Sequence, residues 1–293
     1  MASRLKVAIV TNRDDPLCNR KEEKILRAAF EERDCEFIPV IWCDKKVNWD
    51  DYSAIIIRTA FDYYVRAEEF RAWVEGRKLA GKPRVWNSPD LILWNMHKQY
   101  LEYFRANGIN VPEIISCVQG SKAPDLSNVL HENNWNMAVV KPSVSADSNC
   151  VFLIELKDAH TKQASFERYV SEGDMMIQKY VKEIETNGEY SLMFFDKVYS
   201  HAILKMPTEG DFRANLAFGA QFQLVDPSTS ILEFANNVLS LVEDELLYAR
   251  IDVVELSNGE ATLIEFEVIE PILYFTKKEG AAANFVDAFM RYQ

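Results

Sequence analysis

Glycine is sparse in this chain of 293 residues: there are 10, and no phosphate loop of the form G-x-x-x-x-G-K-[ST] occurs. A nucleotide must therefore be cradled by other means, if it binds at all. The five cysteines (18, 35, 43, 117 and 150) are odd in number and include no C-x-x-C pair. This argues against a disulfide framework or a structural zinc site and leaves free thiols, as in the reducing cytoplasm. The four histidines (97, 131, 160 and 201) form no H-E-x-x-H. There is no G-x-S-x-G, and no Ser/His/Asp or Cys/His arrangement supplies a covalent nucleophile. Positive charge is also short, with a formal net charge of −12. A general nucleic-acid binder or an anionic-membrane binder needs a basic face, so neither is expected. A few local lysines can still hold an anion such as ATP. The aromatic residues, lacking a basic stripe, read as core. No apolar run approaches membrane-spanning length. The opening "MASRLKVAIVTNRDD" has one short apolar run, which reads as a first strand rather than a signal peptide.

What is present is a change of pattern along the chain. Up to residue 90, apolar strands at 5–11, 36–42, 52–59 and 84–87 alternate with helices at 21–34 and 67–81. Such alternation predicts a parallel sheet with helices on its faces. A long helix is expected over 90–108, then strands, short helices and hairpins. The hairpins are 190–207, turning at Asp196 and Lys197, and one beginning at 250 and turning at "SNGE". A helix closes the chain. The expected division is 1–90, 91–182 and 183–293, an α/β unit followed by two α+β units.

Within "RIDVVELSNGEATLIEFEVIEP", carboxylates interrupt apolar strands. Side chains two apart in a strand share a face, so Glu265 and Glu267 point the same way, with Asp252 on the neighbouring strand. Carboxylates converging on one face repel unless a cation neutralises them. Magnesium fits, since it takes oxygen ligands and is usually held by one or two carboxylates plus substrate phosphates. A solvated sheet face explains the same pattern, and the hairpin alone leaves both readings open. Lys141 stands at a strand exit before "SVSADSN", whose small hydroxyls, Ser143 and Ser145 among them, suit a phosphate. Lys98, Lys205 and Arg213 are further cations, each equally readable alone as a surface charge.

The order of these features carries more than any one of them. Lys98, Lys141, "IQKYV", "GEYS", Lys205, "DFRAN", Asp252 and "EFE" together resemble an ATP-grasp ligase. "IIIRTAFDYYVRAEEFRAWV", "VWNSPDLILWNMHKQYL" and "LIEFEVIEP" are similar to its glutathione-synthetase-like branch, which includes the cyclo-ligase that closes O-ureido-D-serine to D-cycloserine. The resemblance implies an α/β and α+β architecture: an ATP-grasp fold behind an N-terminal Rossmann-like domain.

It also implies roles. Lys98 and Lys141 would contact ATP phosphates, with Ser143 and Ser145 in the loop beyond. Gln178, Lys179, Tyr180 and Val181 would form the hinge along adenine, and Glu189 would hold the ribose. Lys205 and Arg213 would face the γ-phosphate and an acyl-phosphate. Asp252, Glu265 and Glu267 would bind Mg2+, with Glu267 standing where the family usually has Asn, and Asn215 would line the same site. Arg58 and Asp62 would grip a substrate carboxylate. The implied activity is ADP-forming ligation of a small carboxylate to an amine, within one molecule or between two. A non-catalytic ATP-binding regulator and a small-molecule kinase are the alternatives. A homodimer is expected on family grounds alone.

Overall fold

The computed structural model describes residues 4–146, 150–208, 210–211, 213–215 and 218–293. Part of the loop after Lys141 (147–149), Phe212 of "DFRAN" and part of "NLAFGA" (216–217) lie outside the described residues.

Strands β1 (Leu5–Thr11), β2 (Cys35–Ile41), β3 (Ala54–Thr59) and β4 (Arg84–Trp86) form a parallel sheet in the order β2-β1-β3-β4. Helices α1 (Lys21–Glu32) and α2 (Ala67–Ala80) connect them. All six residues of β3 are buried. This continuous burial is the mark of a strand covered on both faces.

The helix expected over 90–108 is two helices, α3 (Pro89–Asn95) and α4 (Tyr100–Ala106). The Met96 amide makes the last bond of α3, to the Ile92 carbonyl, and the break follows at residues 97–99. The Lys98 amide instead donates to the Ser143 carbonyl at 2.8 Å. A long-range bond thus replaces a local one, and the lysine is set at a corner rather than mid-helix.

A second sheet of β5 (Ile114–Cys117), β6 (Met137–Pro142), β7 (Phe152–Glu155) and β8 (Met175–Lys179) runs β5-β8-β6-β7, all antiparallel. Helices α5 (Leu126–Glu132) and α6 (Gln163–Glu172) cover one face through Leu130, Phe166 and Val170. After the single turn α7 (Ile184–Asn187) comes a third sheet of β9 (Glu189–Phe195), β10 (Val198–Met206), β11 (Gln221–Val225), β12 (Tyr248–Glu255) and β13 (Ala261–Glu267), ordered β11-β10-β9-β12-β13. Both expected hairpins are present, as β9-β10 and β12-β13. The edge strand β11 has no counterpart in the sequence reading, because "QFQLV" is short and mostly exposed. Helix α8 (Thr229–Ser240) packs under this sheet with α4. Gly188 enters the sheet at φ 74°, and a Cβ there would stand 2.9 Å from the Lys205 carbonyl oxygen. Only glycine fits so close a backbone approach.

The closing helix α9 (Ala281–Met290) returns to the first domain and packs on α1. Phe285 is its hub, fully buried with ring contacts to Phe30, Phe195, Tyr248 and Phe275 at 5.4–6.4 Å. Phe285→Ala is expected to cost about 3–5 kcal/mol, the range for a buried Phe truncation. A urea midpoint that falls with an unchanged slope would show it.

Candidate active site

A cleft of about 260 Å3 lies between the second and third sheets, with residues after β3 also lining it. Lys98, Lys141, Ser145, Gln178, Lys179, Tyr180, Val181, Glu189, Lys205, Arg213, Asn215, Asp252, Glu265 and Glu267 all line it. Fourteen residues expected from sequence are thus brought together from separate elements.

The carboxylates meet through strand register. Asp252 pairs with Glu265, and Arg250 pairs with Glu267, across β12 and β13. One oxygen from each of Asp252, Glu265 and Glu267 falls within 4.8 Å of the others. The donor set is all carboxylate oxygen, which suits a hard divalent cation and offers nothing to a soft one.

Cations surround them. Lys98 Nζ and Lys141 Nζ lie 3.5 and 3.6 Å from Glu265. Burial opposes ionisation of Glu265, but these two lysines prevail and hold its carboxyl well below the usual carboxylate range. Burial and the nearby Lys98 charge lower the Lys141 ammonium in turn. Lys98 Nζ also donates to the Ser145 carbonyl at 3.0 Å. Lys205 ion-pairs with Glu189 directly opposite it on β9, and lies 3.5 Å from Asp252. Burial works against its charge, yet Asp252 and Glu189 keep the Lys205 ammonium above its usual range. Burial raises the Glu189 carboxyl despite that pairing. Arg213 is held by Asp211 through its Nε and Nη2, at 2.9 and 2.7 Å.

Arg250 was not among the expected residues. Its Nη2 donates to Asp252 at 3.0 Å and also to Glu267. It precedes Asp252 by two residues, so strand alternation alone places both on one face. Burial, followed by the Glu265 and Asp252 charges, pushes the Glu267 carboxyl up to about 8, against the pull of Arg250. Glu270 and Tyr274 also line the cleft. Both follow the end of β13, beyond the alternation that exposed the other acids.

Gln178 is buried, and its Nε2 has no hydrogen-bond partner among the described residues. Ser143 is buried outside the cleft lining, with its carbonyl on Lys98. Arg58 and Asp62 are not brought to the cleft lining either. Arg58 is 1 % exposed, and its Nη2 donates to the Pro271 carbonyl at 3.0 Å. Asp62 accepts from Trp42 Nε1 at 2.8 Å and from Arg66 at 3.4 Å. Arg58 reaches from β3 to the segment after β13, and Asp62 is taken up by Trp42 and Arg66 instead of the cleft.

Enzymes that clamp a nucleotide between two such sheets behind a parallel α/β domain are ATP-grasp ligases. This chain belongs to that group, in the family described as prokaryotic glutathione synthetase, ATP-grasp domain, which matches residues 111–274, more than half of its length. The N-terminal domain of D-cycloserine synthetase DcsG matches residues 7–87. Cycloserine biosynthesis protein DcsG of Streptomyces lavendulae is 28% identical over 261 residues, covering 84% of this chain and 85% of that protein. The crystal structure of D-cycloserine synthetase DcsG superposes with a TM-score of 0.86 at 25% identity, over 98% of this chain and 99% of that one. D-alanine–D-alanine ligase from Bacillus anthracis, solved with ATP, gives 0.69 at 15% identity over 98% and 96%. The fold and the enzyme class implied by the motifs are borne out: the chain is an ATP-dependent carboxylate–amine ligase, and its family works with ATP and Mg2+. No helix among the described residues is long and apolar enough to cross a membrane.

Proposed function

We propose that this ligase activates the carboxylate of a small amino-acid-like substrate as an acyl-phosphate and closes it onto a nitrogen, releasing ADP and phosphate. The observation that carries this reading is the cluster of Asp252, Glu265 and Glu267 within 4.8 Å, set among Lys98, Lys141, Lys205 and Arg250 in one cleft. Lys98 and Lys141, now paired with Glu265, supply positive charge for ATP phosphates. Gln178, whose Nε2 has no partner among the described residues, and the 179–181 backbone suit the adenine edge, and Glu189 suits the ribose. Lys205, Arg213 and Arg250 place fixed positive charge where negative charge develops during phosphoryl transfer. Asp252, Glu265 and Glu267 would hold magnesium, which screens the phosphates and withdraws charge from them. Similarity to the D-cycloserine synthetase favours a nitrogen on the same molecule, so that a ring forms.

Phosphate release with Mg·ATP across small amino acids, singly and in pairs, with products weighed by mass spectrometry, tests this. Phosphate release with O-ureido-D-serine as the single substrate is the expected outcome, with a ring product lighter by the water lost on closure or, once the carbamoyl group has been hydrolysed off as CO2 and NH3, with the mass of D-cycloserine. Phosphorylated product without phosphate release would show a kinase instead. Nucleotide binding without any consumption would show a non-catalytic binder.

Cation binding should also release protons. With its carboxyl near 8, Glu267 is protonated at pH 7 before a cation arrives. A divalent cation needs it ionised, so about one proton should leave per Mg2+ bound at pH 7. Affinity should rise with pH up to about 8 and then level off. Calorimetric titrations in buffers of different ionisation enthalpy measure this directly; identical heats in both would contradict it.

A further inference from the structure

We propose that Glu270 recognises the α-ammonium group of the substrate, because this residue lines the cleft with Phe61 and Tyr63 and its backbone is held there by buried donors on both flanking carbonyls. The proposal rests on the ligase reading above and names the substrate feature that the site selects.

The cleft divides chemically. The cations gather at the three-carboxylate cluster, where phosphate and metal belong. Phe61 and Tyr63 line the part contributed by the first domain, just beyond the carboxyl end of β3. Open parallel sheets bind small ligands at that end. Glu270 lines the same cleft and is 9% exposed. Glu270 and these two aromatic residues thus face one cleft. A carboxylate beside aromatic rings attracts an ammonium through charge and through the ring faces.

The backbone on either side of Glu270 is anchored. The Tyr248 hydroxyl lies 2.8 Å from the Ile269 carbonyl and 2.7 Å from that of Ile57, sharing its one proton. Arg58 grips the next carbonyl, Pro271, at 3.0 Å from within the first domain. Both donors are fully or almost fully buried. Arg58 is thus a positioning residue for this segment. Rigid placement of this kind preorganises a contact and spares its ordering cost on binding. An ammonium held as a cation has no lone pair for attack. The nitrogen that forms the new bond must therefore be a different one, on the same substrate or on a second.

The test compares two ligands that differ only in the ammonium: O-ureido-D-serine and its desamino counterpart, 3-(ureidooxy)propanoate. Each is titrated calorimetrically into protein loaded with Mg2+ and a non-hydrolysable ATP analogue. Wild type should favour the amino acid by roughly 10²-fold, the upper scale of a hydrogen bond to a charged group. Glu270→Gln should erase that preference by weakening the amino acid alone, while the ATP analogue still binds. Wild-type affinity that is equal for both ligands, or absent for both, would overturn the proposal, as would a preference that survives in Glu270→Gln. Should that variant not fold, the wild-type comparison decides by itself. The ligase reading fails by a separate sign, the absence of phosphate release with every carboxylate offered.

Discussion

Glu265→Gln is expected to lower turnover by roughly 10²–10³-fold, the scale set by removing a group that stabilises transition-state charge, with the fold retained. Glu265 answers to three demands. It belongs to the carboxylate cluster, and it is the ion partner of both Lys98 and Lys141. Glutamine preserves its shape and one oxygen but removes the charge. A hard cation loses an anionic ligand, and two neighbouring ammonium groups lose their counterion. Lys141, already lowered by burial, should then give up its proton more readily and attract phosphate less. Steady-state phosphate release gives the loss, and circular dichroism the fold. Turnover near wild type would sink the assignment of the cluster to metal and nucleotide.

Arg250→Met should show its largest effect on stability. Arg250 is 8% exposed and donates to both Asp252 and Glu267, so its loss strands the buried Asp252 carboxylate and leaves Glu267 without its donor. Breaking a buried ion pair from one side typically costs about 3–5 kcal/mol. Methionine fills much of the volume, so the loss measures charge more than packing. Magnesium should return a good part of it by supplying the missing positive charge, and more than it adds to wild type. Urea unfolding with and without Mg2+ separates the two contributions. A loss that Mg2+ leaves untouched would mean that Arg250 matters through packing, and a variant as stable as wild type would mean that the bridge contributes nothing.

Much of the candidate site was legible because it lies on regular strands. Two-residue spacing placed Glu265 with Glu267, and the same rule places Arg250 with Asp252. The parallel first sheet followed from the alternation of strands and helices along the chain, and both hairpins from adjacent strands joined by a turn. The misses share another cause. Nothing in "NMHKQY" announces that the helix breaks there, because the bond that compensates it reaches Ser143, 45 residues on. Arg58 has the composition of a ligand residue, yet its partner, the Pro271 carbonyl, lies 213 residues away. Glu270 sits where no periodicity applies, and its placement depends on Tyr248 and Arg58 reaching across the domain junction.

The sequence by itself determined most of the local elements, the acidic face of the last hairpin and, through the order of its motifs, the ligase family. Side-chain period and motif order are properties of neighbouring residues, so they survive without a fold. Which lysines surround Glu265, which arginine faces the cluster and which faces the junction, and where Glu270 stands were decided only by the tertiary structure. Those relations join residues far apart in the chain, and the packing of α9 on α1, the pairing of β12 with β13 and the helix break at Lys98 bring them together.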